Sequence, residues 1–512
     1  MKNSTNAALL AASVALVGAA PAPALRLDLA HLPQVAEVDQ RYQSYNVEMV
    51  EVTGGRFWAP YGGPAGEVYR QRPPLDLTNP RLLAYARALA PAYMRISGTW
   101  ANNTYLPAEG EATATPPAGY AQLLTRQQWR NAVAFSRAAD APIVTSFAVS
   151  TGVRDAAGRW TPAQAQRLVD LTREAGGTIA AAEFFNEPTM PGAAQPMPAA
   201  YGAPDYAADF RVFHQWIRQA LPATQVLGPG GVGEGGLMKA IPVNAMGKMI
   251  ASGDIMAANP GLLDAVSYHF YGSVSQRCAK LGIGTADRAG ALSDEWLDRT
   301  LVDYRFYAGL RDRYAPGKPL WNTETGQAAC GGSPWAATFL DTFRYLNQLG
   351  ALAQQGVKVV IHNTLATSDY ALIDRDTMTP RPSYWAAVLW RRLMGTVVLA
   401  SPRTQVPHLR LYAQCLRGQP GGVALLALNT GDAAQSLRLP GKASAWVLTA
   451  PPADLAHVLV NGHHPAMDAA GQFTGLAPVA AHGTLGLPGR AIAFVAVAGA
   501  ANPACGAAVN RP

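Results

Sequence analysis

Between about residues 41 and 395, short apolar runs alternate with longer amphipathic stretches. The short runs predict strands at Ser44–Glu48, Tyr93–Ser97, Ile143–Ala148, Ala180–Phe185, Gln225–Gly228, Ala265–Phe270, Pro319–Glu324 and Val357–His362. The longer stretches predict helices at Arg81–Ala90, Arg126–Ala139, Pro162–Ala175, Tyr206–Leu221, Glu295–Tyr314 and Trp335–Gly350. A last helix, Tyr384–Met394, opens after Pro380 and Pro382. Strands and helices alternating in this way predict an α/β fold, a (β/α)8 TIM barrel with insertions over residues 41–395. A doubly wound open sheet is the main rival, because a strand count cannot show closure.

Beyond Gly395 the texture changes. Val397–Ser401, Leu409–Cys415, Val423–Asn429, Trp446–Thr449 and Ala491–Val497 are short and apolar, separated by Gly, Pro, Asn or Asp, with no helical period. Residues 396–512 therefore read as an all-β module, a C-terminal β-sandwich. Residues 25–40 form an N-terminal segment able to add a strand to it. Ahead of that lie Lys2, an apolar stretch Ala7–Ala20 and the A-x-A signal Ala22-Pro23-Ala24. The stretch is shorter than the roughly 20 residues a membrane span needs. Residues 1–24 are expected to be a signal peptide cleaved near Ala24, giving a periplasmic or secreted protein with no membrane span.

Of the 512 residues, 49% are apolar and 15% charged, which excludes global disorder. The charge, 41 − 34 = +7, is dispersed with no basic run, so nucleic acid is not an expected partner. A few arginines around a cleft would instead suit an acidic polysaccharide. The four cysteines, Cys278, Cys330, Cys415 and Cys505, are too widely spaced for a zinc cluster or a redox pair; disulfides are the default for an exported chain.

In a barrel, residues at the C-terminal ends of the strands face the active site. The fourth candidate strand ends in Asn186-Glu187-Pro188, and the seventh in Glu324-Thr325-Gly326. Two carboxyl groups meeting across a barrel mouth are what glycoside hydrolysis needs, one protonated and one ionised. Gly228-Pro-Gly230-Gly-Val-Gly233 satisfies G-x-G-x-x-G, but Pro229 sits in the turn that would approach a pyrophosphate; it reads as the loop after strand five. No cofactor and no metal is expected. His463-His464 read as surface residues, and Arg154, Arg159 and Arg277 as loop arginines, solvated unless they meet sulfate or carboxylate groups.

An asparagine-preceded glutamate after strand four, with a second after strand seven, resembles the retaining glycoside hydrolases of clan A. Further stretches resemble family 79, the heparanases and β-glucuronidases. They are Tyr93-Met-Arg-Ile-Ser-Gly-Thr99, Val266-Ser-Tyr-His269-Phe-Tyr271, Glu324-Thr-Gly with Cys330-Gly331-Gly332, and Asp369-Tyr370-Ala-Leu-Ile-Asp374 leading to Tyr384-Trp385. The resemblance runs from about Ser44 to the last cysteine. It implies Glu187 as acid/base, Glu324 as nucleophile, Asn186 on the sugar 2-hydroxyl and Tyr271 donating to Glu324. Glu48 and Thr99 would bind sugar hydroxyls, and Tyr370 with the N–H groups of Gly331 and Gly332 would hold the uronic carboxylate. Arg95 would support Glu324, and His269 is either a site residue or a buried strand histidine. Cys415 and Cys505 match a disulfide of the family's β module, and Cys278 with Cys330 would brace the nucleophile loop. Ala329-Cys330 stands where animal heparanases have a tyrosine, and no excisable linker or dense heparin-binding cluster is evident. The implied function is a retaining endo-β-glucuronidase acting on heparan sulfate or a related glycosaminoglycan. An exo-acting β-glucuronidase and a non-catalytic glycan-binding barrel are the alternatives.

Overall fold

A computed structural model describes residues 24–64, 66–194, 196–240, 249–282, 284–468 and 470–506. The segment read as a signal peptide lies, except for Ala24, outside the described residues. Among the described residues no helix is long and apolar enough to cross a membrane.

Eight parallel strands close into a barrel: β1 (Gln43–Asn46), β2 (Met94–Ile96), β3 (Ile143–Thr145), β4 (Ile179–Glu183), β5 (Gln225–Val232), β6 (Ala265–Tyr271), β7 (Leu320–Gly326) and β8 (Val359–His362), with β8 pairing back to β1. Closure decides against the open sheet. A helix follows each strand: α1 (Pro80–Arg87), α2 (Arg126–Ala138), α3 (Ala163–Glu174), α4 (Ala203–Ala220), α5 (Ser252–Ala258), α6 (Asp294–Tyr314), α7 (Phe339–Gln354) and α8 (Pro382–Leu393). Their starts follow local chemistry: Asn79 and Thr125 accept backbone N–H bonds as N-caps, and Pro382 occupies the first turn of α8, where no N–H is needed.

The two-residue period of a strand explains the barrel interior. Val144, Ala181, Leu227, Ala265, Trp321, Val359 and Ile361 form an apolar plug at its base, joined by Tyr93. Two residues above Tyr93 and Ala181 on their strands come Arg95 and Glu183, and four above Ala265 comes His269. The apolar floor thus carries a polar layer at the mouth.

β5 departs from expectation. It runs on through Gly228–Val232, so all of the G-x-G-x-x-G stretch but its last glycine is strand rather than loop, paired with β6 across an irregularity at Pro229/Gly231. Small residues are needed there: a Cβ on Gly230 would come within 3.2 Å of Glu183 Oε1, and one on Gly231 would collide with Ser252.

The β module packs a large antiparallel sheet on a three-stranded one. Strand Gln34–Glu37 joins the large sheet beside Met394–Leu399, and Leu25–Arg26 joins the small one. Val423, Leu425 and Ala427 face the small sheet, while Ala424, Leu426 and Leu428 face the barrel. Burial on both faces explains why this strand reads as an unbroken apolar run. Cys415–Cys505 closes the module with a Cα–Cα distance of 5.3 Å.

Candidate active site

A cavity of about 470 Å³ opens at the C-terminal end of the barrel, lined by Glu48, Thr99, Glu187, Tyr271, Glu324 and Tyr370, with Trp58, Tyr69 and Trp100 around them. Its floor is organised by Arg95, fully buried on β2. Arg95 Nη1 donates to Glu324 Oε2 at 2.8 Å and to Asn46 Oδ1 at 3.1 Å. Its Nη2 donates to Glu183 Oε2 at 2.8 Å and to Asn186 Oδ1 at 2.9 Å. One guanidinium therefore fixes four side chains from three strands or their ends, using the planar fork that lysine lacks.

Glu324 also accepts from the Tyr271 hydroxyl at 2.7 Å. Burial works against its charged form, but His269, Arg95 and the bonds from Tyr271 and Arg95 outweigh that and hold its pKa below the ordinary glutamate value. Glu187 has the opposite balance. Burial raises its pKa, the His269 hydrogen bond only partly offsets this, and the charge of Glu324 raises it further. A carboxylate oxygen of each lies within 4.8 Å of the other and of a His269 ring nitrogen. Glu187 takes a left-handed backbone, φ 51°, uncommon for a residue with a side chain.

His269 is fully buried on β6 and contacts both Arg95 and Glu187. Arg95 can only donate and faces Nε2 at 3.2 Å, so in the neutral ring Nδ1 carries the proton and donates to Glu187 Oε1 at 3.1 Å. Burial favours that neutral ring, but Glu324's charge and the Glu187 bond prevail, raising the His269 pKa. Glu187, His269 and Glu324 have donor spacing a cation could use, and Arg95 already supplies a positive charge within the cluster.

Asn186 is clamped by a residue the sequence did not single out: Asn102 accepts from its N–H and donates to its carbonyl, both at 2.9 Å. Asn186 Oδ1 is held by Arg95, and its side-chain NH2 has no hydrogen-bond partner among the described residues. Asn363, just beyond β8, was also missed. Its NH2 donates to Glu48 Oε1 and Tyr271 at 2.9 Å and to Tyr370 at 3.1 Å, linking three elements of the site. Burial and the neighbouring Glu324 raise the Glu48 pKa well above the ordinary value. Gly98, at φ 91°, leaves room for Glu48: a side chain there would collide with Oε2. Glu183, Asn102 and Asn363 lie outside any linear motif; their only sequence signal is a polar residue at or just beyond a barrel strand end.

Two expectations need correction. Gly332 does not offer its N–H to the cavity, because it donates to Ala328 O at 3.0 Å in the tight nucleophile loop. Gly331, at φ 81°, packs its Cα on the Trp58 indole, and its N–H has no partner among the described residues. The arginines divide as well. Arg154 is buried against Asp209 at 2.8 Å, and Arg277 is buried against Asp369 and lies 3.8 Å over the Tyr61 ring; only Arg159 is exposed. Cys278 and Cys330 form a disulfide at the cavity edge, Cα–Cα 6.3 Å. His463 and His464 are exposed.

A closed (β/α)8 barrel with a β-sandwich beside it is an architecture shared with solved glycosidases. A 4-O-α-L-rhamnosyl-β-D-glucuronidase from Fusarium oxysporum 12S superposes with a TM-score of 0.63 at 14% identity, covering 92% of this chain and 100% of that one, a likeness of fold. The family model for the glycosyl hydrolase family 79 N-terminal domain matches residues 73–350, and the chain belongs to that family. Heparanase-like protein 1 of Arabidopsis thaliana is 26% identical over 375 residues, 70% of this chain and 65% of that protein, so the chain spans just under two thirds of this relative's length. Heparanase of Mus musculus is 26% identical over 417 residues, 71% of this chain and 74% of that protein.

Proposed function

We propose that this chain is a retaining endo-β-glucuronidase that cleaves glucuronic-acid linkages within heparan sulfate or a related acidic glycan. The observation that carries this is the Glu187–Glu324 pair. Their approach within 4.8 Å suits the short separation of retaining enzymes rather than the roughly 6.5–9.5 Å of inverting ones. Their pKa values are pushed apart in the sense that makes Glu187 the acid and Glu324 the nucleophile.

In the first step Glu324 attacks the anomeric carbon while Glu187 protonates the departing glycosidic oxygen. In the second, Glu187 takes a proton from water as that water displaces Glu324 from the sugar. Asn186 NH2 donates to the sugar 2-hydroxyl, Glu48 and Thr99 meet other hydroxyls, and the Gly331 N–H with the Tyr370 hydroxyl receives the uronic carboxylate. Membership of family 79 and the heparanase relatives support a uronic-acid substrate. Two disulfides suit an exported protein.

The test is the size profile of heparan sulfate after incubation, with Glu324→Gln and Glu187→Gln beside the unaltered enzyme. Rapid shortening by the unaltered enzyme alone supports endo action; release of single residues from chain ends makes it exo-acting. Glu324→Gln should abolish turnover, and near-normal activity in it would refute the assignment. Glu187→Gln should lose about 10²–10⁴-fold on the polysaccharide and far less in the first step on aryl glucuronides, whose good leaving groups need no acid.

A further inference from the structure

A hairpin that no sequence pattern announced, Gly55–Trp58 paired with Tyr69–Arg72, stands at the rim of the cavity. Trp58 and Tyr69 are cross-strand neighbours, stacked with centroids 4.6 Å apart, and both line the cavity. Side chains two apart on a strand share a face, so Arg56 projects from the same face as Trp58, with Gln71 opposite it. Its guanidinium lies 4.7 Å from the centre of the Tyr69 ring. Arg56 is exposed and has no hydrogen-bond or ion-pair partner among the described residues, whereas Arg70 and Arg72 on the same hairpin pair with Glu67 and Asp376. The Trp58–Tyr69–Arg56 ladder thus runs outward from the cavity and ends in an uncommitted cation.

The hairpin is held in place. Arg277 donates to Ala59 O at 2.9 Å through Nε and to Gly332 O at 2.8 Å, ion-pairs with Asp369 and covers Tyr61. On its other face Phe57 meets Trp100 edge-on at 4.9 Å. Arg56 is therefore presented from a fixed strand rather than a free loop.

Resting on the glucuronidase reading above, we propose that Arg56, Trp58 and Tyr69 form a further subsite that binds an anionic sugar unit one or two places along the polysaccharide from the one being cleaved. The ring edges that the Trp58–Tyr69 stack leaves open border that unit, and Arg56 takes its carboxylate or sulfate. The guanidinium fork suits either group, and its position on Tyr69 fixes its direction.

The test is calorimetric binding to the Glu324→Gln protein, with and without Arg56→Gln, of three tetrasaccharides. One is heparan-type and sulfated, one is its unsulfated N-acetylated counterpart, and one carries a single uronate at the cleaved position among neutral sugars. Losing one charge-assisted hydrogen bond should weaken the sulfated ligand about tenfold or more and the neutral-flanked ligand much less. A comparable loss on the unsulfated tetrasaccharide identifies as the bound group the carboxylate of the next uronate, one hexosamine beyond the cleaved unit; a loss confined to the sulfated one identifies a sulfate. Equal loss on all three, or none on either charged ligand, overturns the proposal. Turnover of an aryl β-glucuronide by the unaltered enzyme is measured in parallel, and its absence would count against the glucuronidase reading while leaving the binding comparison intact.

Discussion

Tyr271 separates the geometry of this site from the mere presence of two carboxylates. It touches Glu324 at 2.7 Å and is itself held by Asn363 at 2.9 Å, so it positions the nucleophile and helps keep it ionised. Turnover needs Glu324 charged, so activity rises as pH climbs through the Glu324 pKa and falls as Glu187 loses its proton. Tyr271→Phe removes a donor that lowers the Glu324 pKa, so the acidic limb of kcat/KM should move to higher pH while the basic limb moves less. One charge-assisted bond of about 1.5–3 kcal/mol corresponds to a loss of roughly 10–100-fold in kcat/KM. An unshifted acidic limb would show that Tyr271 does not tune Glu324. At this scale the pair Glu187 and Glu324 was legible because each stands close after an apolar run, in a short motif with its neighbours, Asn186-Glu187-Pro188 and Glu324-Thr325-Gly326. Asn102, Glu183 and Asn363 were not, because they act through partners more than 80 residues away in the chain.

At the scale of elements, the eight barrel strands could be read from their apolar runs, since burial among neighbours and helices leaves each strand little polar surface. The rim hairpin could not. Its strands mix Arg, Gln, Phe, Trp and Tyr around a Gly/Pro-rich turn, because one face meets the cavity and the other meets Trp100. α5 escaped for a different reason: with seven residues it is too short to display a period. What fixes the hairpin over the site is Arg277, which reaches the loops after β7 and β8 together. Its side chain and that of Asp369 are 4% and 14% exposed, so removing one partner leaves the other poorly solvated. Arg277→Ala should cost about 3–5 kcal/mol of stability in chemical denaturation and loosen the Trp58 wall of the cavity, raising KM more than it lowers kcat. Arg277→Lys should recover little, since one ammonium cannot replace bonds to Ala59, Gly332 and Asp369 in three directions. Unchanged stability in Arg277→Ala would mean that the strap is not what fixes the hairpin.

For the whole molecule, the barrel and the β module share buried surface. The strand Gln34–Glu37, which precedes the barrel in the chain, pairs with Met394–Leu399, which follows it. The large sheet presents Leu426, Leu428, Ile492 and Phe494 to the barrel's core cluster, and Arg410 reaches across to Asp294 and Asp298 of α6 and Asn347 of α7. A boundary near residue 395 marks a change of texture in the sequence, yet across it lies an apolar contact continuous with the barrel. The two parts should therefore unfold together, in one calorimetric transition. Phe494, fully buried on the barrel-facing side, tests this. Phe494→Ala should lower stability by about 3–5 kcal/mol and move that single transition as a whole. A variant that split the melt into two transitions, with the barrel's midpoint unchanged, would show that the β module is an independent passenger rather than part of the barrel's support.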